Sequence, residues 1–214
     1  MANLAPQDKS PHVMRTRSAK RCQAIERMNL MKDSDEATDV GKKGTTEAYL
    51  RAVTVGERKP LNGSVCLAPY DPDWRKQFSL HARQIRDALS EGVLLLEHVG
   101  STSVPGLWAK PIIDMVLAVS NSADEPSYVP ALEARGFVLR IREPDWFQHR
   151  LLKAPDIAGN LHVFSIGCEE VDRMLMFRDW LRTHDDDRRL YEETKRTLAA
   201  QTWEIGRASC RERV

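Results

Sequence analysis

The sequence has few cysteines, and no two of them form a C-x-x-C pair: Cys22, Cys66, Cys168 and Cys210 stand far apart along 214 residues. This spacing argues against a structural zinc site and against a dense disulfide framework. The chain also lacks an apolar run of the roughly 18 to 20 residues that a membrane span needs, and its N-terminal region has no apolar segment typical of a secretory signal. These absences predict a reducing, cytoplasmic location and no membrane association.

A large excess of charge of one sign is missing as well. The sequence has 32 Lys and Arg against 31 Asp and Glu, a formal charge of +1. A strong basic excess drives non-specific association with nucleic acid, so dedicated nucleic-acid binding is disfavoured. With 42% hydrophobic and 29% charged residues, the composition is that of an ordinary globular protein, and the length suits one hydrophobic core.

Both ends of the chain are predicted to lie outside the folded domain. Residues 1–43 lack sustained apolar periodicity and are expected to be disordered; an organelle transit peptide in residues 14–27 and a start upstream of the natural one are alternatives. The final residues 204–214, EIGRASCRERV, are identified as the translation of a common sequencing adapter, with a genuine flexible tail as the alternative. The predicted domain therefore covers residues 44–203.

Apolar periodicity within this domain predicts strands and helices that interleave in one sheet. Apolar residues recur every three or four positions from Trp74 to Leu89, which indicates an amphipathic helix with Asp71 as its N-cap. Strands are predicted over 93–99, 111–119, 137–141, 147–153 and 161–166, with a short helix over 128–135 and two helices within 169–202.

A loop of small residues between the first two predicted strands is the main candidate site. It contains Gly100, Ser101, Thr102 and Ser103, whose amides and hydroxyls suit a phosphate group. Asp114 lies among apolar residues of the next strand, where an ionised carboxylate is costly unless it is paired or binds a metal. Lys110 can pair with Asp114 or reach a phosphate. The structural alternative is that the hydroxyls cap a turn and that Asp114 is a buried acid with a basic partner.

Two short segments carry a resemblance to a known family. HVGSTSVPGL at residues 98–107 and KPIID at residues 110–114 resemble the signature of the GrpB family, which is similar to the nucleotidyltransferase superfamily. Further matching segments are YDPDW (70–74), HR (149–150), NLHVFS (160–165), FRDWLR (177–182) and YEETKR (191–196). The resemblance implies an α+β, nucleotidyltransferase-like fold: a mixed β-sheet of about five strands flanked by helices, with further helices at the C-terminus.

The resemblance also implies roles for single residues. In that superfamily a Gly-Ser loop holds a triphosphate, and two carboxylates two positions apart on the next strand hold divalent metal. Gly100 and Ser101 match the loop and Asp114 matches the first carboxylate, whereas Val116 stands where the second is expected. One carboxylate can hold a single Mg²⁺ with phosphate and water, so Mg²⁺ is the expected cofactor. The candidates for the missing acid are Glu97, Glu143 and Asp145.

Three histidines and one arginine are further candidates. The functional hypothesis is that His98, His149, Arg150 and His162 line the pocket that holds Asp114, with Arg150 as the phosphate ligand. The alternative for His162 is a hydrogen-bonded core histidine, because it shares a strand face with Phe164.

Two hypotheses for the function follow. The first is a metal-dependent enzyme that binds a nucleotide or phosphorylated small molecule and transfers a nucleotidyl or phosphoryl group, with Asp114 and Lys110 as catalytic residues. The second is a non-catalytic binding or protein-folding accessory module with a protein partner; the resemblance supports it, because GrpB-like domains occur fused to dephospho-CoA kinase.

Overall fold

A computed structural model of the chain describes residues 47–57 and 66–200. The predicted disordered segment 1–43 and the predicted adapter-derived tail 204–214 lie outside the described residues. The predicted α+β fold, a mixed sheet of about five strands with flanking and C-terminal helices, is confirmed.

The sheet has five strands in the order β1-β2-β5-β4-β3. The strands are β1 (Leu95–Val99), β2 (Ile113–Val119), β3 (Val138–Glu143), β4 (His149–Lys153) and β5 (Gly159–Ser165). The two central strands β2 and β5 run parallel, and every other neighbouring pair is antiparallel. The antiparallel register of β1 and β2 puts Val99 opposite Asp114, so the loop that leaves β1 lies beside that carboxylate.

Five α-helices accompany the sheet within the described residues. They are α1 (Glu47–Val53), α2 (Asp73–Leu89), α3 (Val129–Glu133), α4 (Glu169–Thr183) and α5 (Asp185–Ala199). Just before α2, the carboxylate of Asp71 accepts a hydrogen bond of 2.9 Å from the backbone N–H of Asp73, but the N-cap position is occupied by Pro72 rather than by the predicted Asp71. No helix among the described residues is long and apolar enough to cross a membrane.

The main hydrophobic core lies on one face of the sheet. Met115 and Leu117 of β2, with Leu161 of β5, are fully buried there against Ile85 of α2 and Leu132 of α3. Complete burial of such a side chain stabilises the fold by about 1.5 to 3 kcal/mol. A smaller cluster on the opposite face packs α4 onto the sheet, and its buried residues are Val99, Val116, Phe164 and Val171. Polar side chains interrupt this second face, and the candidate site lies among them.

Strand β4 begins two residues later than its apolar sequence predicts. Phe147 and Gln148 have φ angles of 50° and 52°, so they form the turn between β3 and β4 rather than extended strand. The turn leaves the ring of Phe147 41% exposed.

Candidate functional site

Gly100 brings the loop after β1 into direct contact with Asp114. Its φ of +68° lies in the left-handed region, and a Cβ atom at this position would meet Asp114 Oδ2 at 2.7 Å and Asp114 Cβ at 3.0 Å. A side chain at residue 100 is therefore excluded on two independent grounds. Because Ser101–Ser103 follow as a short 3₁₀ turn, the turn starts immediately beside the carboxylate.

The three hydroxyls of this turn face different partners. Ser103 Oγ donates to Gly100 O at 2.6 Å, and Thr102 Oγ1 donates to Ile112 O at 3.1 Å. Ser101 Oγ instead accepts a hydrogen bond of 2.7 Å from the ammonium group of Lys195 on α5. Of the three hydroxyl residues, only Ser101 lines the cavity that holds Asp114.

Asp114 belongs to a partly buried polar network on the face of the sheet covered by α4. Its Oδ1 atom accepts a hydrogen bond of 2.6 Å from Asn160 Nδ2, and the side chain of Asn160 accepts one from Lys153. His162 Nε2 lies 3.9 Å from the same carboxylate oxygen. The side chain of Asp114 keeps 20% of its surface exposed, so this carboxylate is accessible from the cavity.

A second buried chain of polar side chains begins at His162. His162 Nδ1 lies 3.1 Å from His149 Nε2, and His149 Nδ1 lies 2.7 Å from Glu143 Oε2. The hydroxyl of Tyr49 donates to Glu143 Oε1 at 2.6 Å. Burial lowers the pKa of His149 to about 4 despite the hydrogen bond to Glu143, so His149 is neutral at pH 7.

The C-terminal helices cover Asp114 and the turn. Phe177, Arg178 and Leu181 of α4 and Tyr191 of α5 line a cavity of about 40 Å³ that also contains Gly100, Ser101, Asp114 and His162. Burial raises the pKa of Tyr191 above its usual value. Tyr191 and Lys195 belong to the matching segment YEETKR, but neither is among the predicted site residues, because Lys195 lies 94 positions from Ser101 in sequence.

A second cavity, of about 210 Å³, lies on the other side of the turn. Arg75 of α2 and Arg178 and Arg182 of α4 line it, together with His98, Thr102 and Ser103. Burial and the neighbouring Arg178 lower the pKa of Arg182. Arg182 donates two hydrogen bonds to the carbonyl of Ser103, so the turn is held by a cation from α4.

The structure does not bring all of the predicted residues together. His162 lines the cavity with Asp114, and His149 lies directly behind it. His98 lies on the opposite face of the sheet, stacks on Phe78 at 4.9 Å and donates to Thr102.

Arg150 is also placed away from the cavity. Adjacent residues of a strand point to opposite faces, so His149 and Arg150 cannot share one pocket. Arg150 Nε donates to Glu125 Oε1 at 2.6 Å, and its Nη1 donates to the carbonyl of Gln148 at 2.9 Å.

Lys110 precedes β2 in a tight turn, in which the Ile112 N–H donates to the Lys110 carbonyl at 2.8 Å.

Asp114 is the one carboxylate among the described residues that line the cavity of about 40 Å³. Glu97 points to the same face, but Arg178 Nη1 donates to it at 2.8 Å. Glu143 accepts from both Tyr49 and His149, and Asp145 lies exposed in the turn after β3. Among the residues that the structure describes, no group of three or more His, Cys, Asp or Glu side chains is arranged to hold a metal. An ion at Asp114 would take its remaining ligands largely from water and phosphate.

Comparisons with known proteins identify the relatives of this chain. The family described as GrpB protein matches residues 64–209. A UPF0157 protein of Halalkalibacterium halodurans is 56% identical over 173 residues, which cover 81% of this chain and 86% of that protein. A dephospho-CoA kinase of Mycolicibacterium paratuberculosis is 27% identical over 174 residues, 68% of this chain and 42% of the kinase.

A solved structure is similar in fold as well as in sequence. The crystal structure of conserved protein GrpB from Enterococcus faecalis matches with a TM-score of 0.55 and 31% identity, over 63% of this chain and 82% of that one. The sequence signature, the five-stranded sheet and these matches agree, and this chain belongs to the GrpB family.

Proposed function

We propose that this protein binds a nucleotide or another phosphorylated small molecule, together with a divalent metal ion, beside Gly100, Ser101 and Asp114, and transfers a nucleotidyl or phosphoryl group. The observation that carries the proposal is the contact between Gly100 and Asp114. A glycine turn that lies directly against a partly exposed carboxylate supports this proposal, because a phosphate group at the turn and a metal ion at the carboxylate would then be neighbours.

The cations around the turn support an anionic ligand. The Lys195 ammonium contacts Ser101, and the Arg178 guanidinium lines the same cavity. We assign the neutralisation of phosphate charge to Lys195 and retain Lys110, four residues before Asp114, as a second candidate. Fixed positive groups that face developing negative charge lower the barrier of phosphoryl transfer.

The ion expected with Asp114 is Mg²⁺. Its oxygen-rich coordination suits one carboxylate with phosphate and water. When bound, such an ion supplies charge neutralisation for the phosphate oxygens. Asn160 donates to Asp114 Oδ1 and thereby orients the carboxylate toward the cavity.

A thermal-shift titration of the full chain with a panel of nucleotides, with and without Mg²⁺, tests the proposal. A ligand at about 100 times its dissociation constant stabilises the folded state by roughly 2.7 kcal/mol, or several degrees for a domain of this size. We expect a metal-dependent shift that Asp114→Asn abolishes and that Asp145→Asn, a change of an exposed acid in the turn after β3, leaves unchanged. The absence of a shift with any nucleotide at millimolar concentration would contradict the proposal.

A non-catalytic module on the same fold is the second candidate function. The cavity beside Asp114, about 40 Å³, is far smaller than the roughly 300 to 1,000 Å³ of typical ligand pockets. A nucleotide would therefore require α5 to move away from the turn, whereas an accessory role would not. The sequence similarity to a dephospho-CoA kinase also supports an accessory role.

Single-turnover assays separate the two candidates. An enzyme would convert a bound nucleotide in the presence of an acceptor, and Asp114→Asn would abolish the conversion while the variant stays folded. A binding module would retain the nucleotide unchanged, or bind none and associate with a protein partner instead.

A further inference from the structure

The second cavity, of about 210 Å³, carries an excess of positive charge. It is lined by residues of α2, α4 and β1, an edge strand of the sheet. Its acidic residue is Glu97, and its basic residues are Arg75, Arg178 and Arg182. Burial lowers the pKa of His98, which also lines the cavity, to about 4, so this histidine adds no charge at pH 7. Three positive charges thus accompany one negative charge, and this excess favours an anion as the occupant.

Two of the arginines are held in place by the protein itself. Arg178 uses four of its five N–H groups: two donate to Asp179, one donates to Glu97 at 2.8 Å, and one donates to a backbone carbonyl of β1 at 2.9 Å. Arg182 donates twice to the carbonyl of Ser103 and once to Asp179. Arg178 therefore keeps one free N–H group and Arg182 keeps two, on side chains that lose little freedom when a ligand binds.

Arg75 differs from both of them. Its guanidinium makes no hydrogen bond or ion pair with any other residue that the structure describes, so all five of its N–H groups are available to a ligand. Burial, together with the positive charges of Arg178 and Arg75, lowers the pKa of Arg182. An anion among the three guanidinium groups would relieve their mutual repulsion.

Two aromatic side chains also line this cavity. Phe78 stacks on His98 with ring centres 4.9 Å apart, and Tyr70 meets Trp74 edge-on at 5.6 Å, so neighbouring rings hold both in place. The volume of about 210 Å³ lies below the roughly 300 to 1,000 Å³ of pockets for drug-sized ligands. These walls suit a small molecule that joins an anionic group to an apolar or planar part.

The turn after β1 separates this cavity from the one that holds Asp114. Ser101 lines the cavity of Asp114, whereas Thr102 and Ser103 line the second cavity. Arg178 lines both cavities from α4. A ligand in the second cavity therefore requires neither Asp114 nor a metal ion.

We propose that the second cavity binds a small organic anion, a carboxylate or a phosphate monoester that carries an apolar or planar group. Arg75 contacts the anionic group, because a guanidinium matches two oxygens of a carboxylate or a phosphate. Arg178 and Arg182 supply fixed positive charge beside it. The inference goes beyond the proposed function and does not rest on it.

Calorimetric titration of the full chain with phenyl phosphate, benzoate and phenol, without added metal, tests this site. The first two probes carry the two anionic groups on the same ring, and phenol is their uncharged counterpart. We expect at least one of the anions to bind at least about tenfold more tightly than phenol, since a hydrogen bond to a charged group contributes about this factor. The tighter of the two anions then shows whether the site takes a phosphate or a carboxylate.

Arg75→Ala is the informative variant, because it breaks no hydrogen bond or ion pair within the described part of the chain. It should lower the affinity for the anion by about tenfold. Arg83→Ala is the matched control, because Arg83 is also an exposed arginine of α2 but does not line the cavity. Asp114→Asn should leave the binding of the anion unchanged, which separates this site from the one in the proposed function.

A second measurement uses the unaltered protein. The backbone amide NMR signals of residues 75–79 and 102–103 should shift on titration with the anion, and those of residues 191–195 should shift less. Equal affinities for phenol and both anions, equal effects of Arg75→Ala and Arg83→Ala, or no anion binding up to millimolar concentration would overturn the inference. A metal-dependent effect of nucleotides that persists in that case leaves the proposed function intact, whereas anion binding without any nucleotide binding contradicts the proposed function alone.

Discussion

Gly100 and Asp114 lie so close that a methyl group cannot fit between them. The position of a Cβ atom on Gly100, 2.7 Å from Asp114 Oδ2, is closer than van der Waals contact allows. The contact follows from the antiparallel register that places Val99 opposite Asp114, so the glycine is the first residue free to turn toward the carboxylate. The geometry of any ligand site at this turn therefore depends on the absence of a side chain at residue 100.

Gly100→Ala should weaken ligand binding by more than the backbone strain of the substitution can explain. Gly106 is the matched control: its φ of +78° is also left-handed, but a Cβ atom there meets nothing within 4 Å. The strained backbone is expected to cost about 1 to 3 kcal/mol at Gly100, whose φ of 68° and ψ of −174° fall in a region essentially restricted to glycine, and about 1 to 2 kcal/mol at Gly106. Only Gly100→Ala should also displace Asp114 and abolish metal-dependent ligand binding, as measured by calorimetric titration. Equal effects of the two substitutions on binding would contradict this interpretation.

Lys195→Ala should weaken the binding of phosphate ligands. The ammonium group contacts Ser101 Oγ at 2.7 Å, so its loss removes positive charge beside the turn. A charge-assisted contact of this kind corresponds to about tenfold in affinity. Lys76→Ala on α2 is the control, because the Lys76 side chain is 79% exposed and pairs with Asp73 rather than with a residue of the turn. Titration with ATP or inorganic pyrophosphate at fixed salt compares the two variants, and equal affinities would argue against a role for Lys195.

The local parts of the site were predictable from the sequence, and the distant parts were not. The Gly-Ser loop and Asp114 belong to two adjacent strands, so their proximity follows from a short connection. Lys195 and Tyr191 reach the turn only through the packing of α5, and no periodicity in their segment encodes that contact. All five strands were predicted, and their boundaries differ from the predicted ones by at most two residues; before His149 the cause is that apolar residues form the turn.

The predicted position of Arg150 in the pocket of Asp114 differs from its position in the structure for a simple physical reason. Alternation along a strand separates His149 from Arg150, and this follows from sequence alone. Whether His149 or Arg150 points toward Asp114 depends on the pairing of β4 with β5, in which Leu151 lies opposite His162. No local signal in the sequence specifies that pairing. An arginine binds a phosphate and a buried carboxylate equally well, so the residue type alone does not distinguish a phosphate ligand from a structural ion pair.

Arg150→Ala should destabilise the fold without changing phosphate binding. The buried guanidinium pairs with the partly buried Glu125 at 2.6 Å, and since Arg142 still pairs with Glu125 in the variant, a loss of about 1.5 to 3 kcal/mol is expected. Arg142→Ala removes the other partner of Glu125, but the Arg142 side chain is 48% exposed, so a loss of at most about 1 kcal/mol is expected. Urea unfolding measures both losses. A large decrease in nucleotide affinity for Arg150→Ala, measured under conditions where it is folded, would restore Arg150 as a phosphate ligand.

The stability of the protein should fall as the pH drops from 6.5 toward 5. Burial lowers the pKa of His98 from 6.5 to about 4, so in this range the unfolded chain binds a proton that the folded state does not. The free energy of unfolding therefore rises with pH through this window, by up to about 3 kcal/mol for His98 over its full range from pH 4 to 6.5. Because Glu125 and Asp179 have lowered pKa values, their ion pairs remain intact above pH 5 and contribute little to the slope there. His98→Gln should reduce the dependence of the unfolding free energy on pH, measured by urea unfolding. Ser79→Ala, on the neighbouring helix α2, should leave this dependence unchanged. An unaltered dependence in His98→Gln would show that His98 is not held neutral by burial.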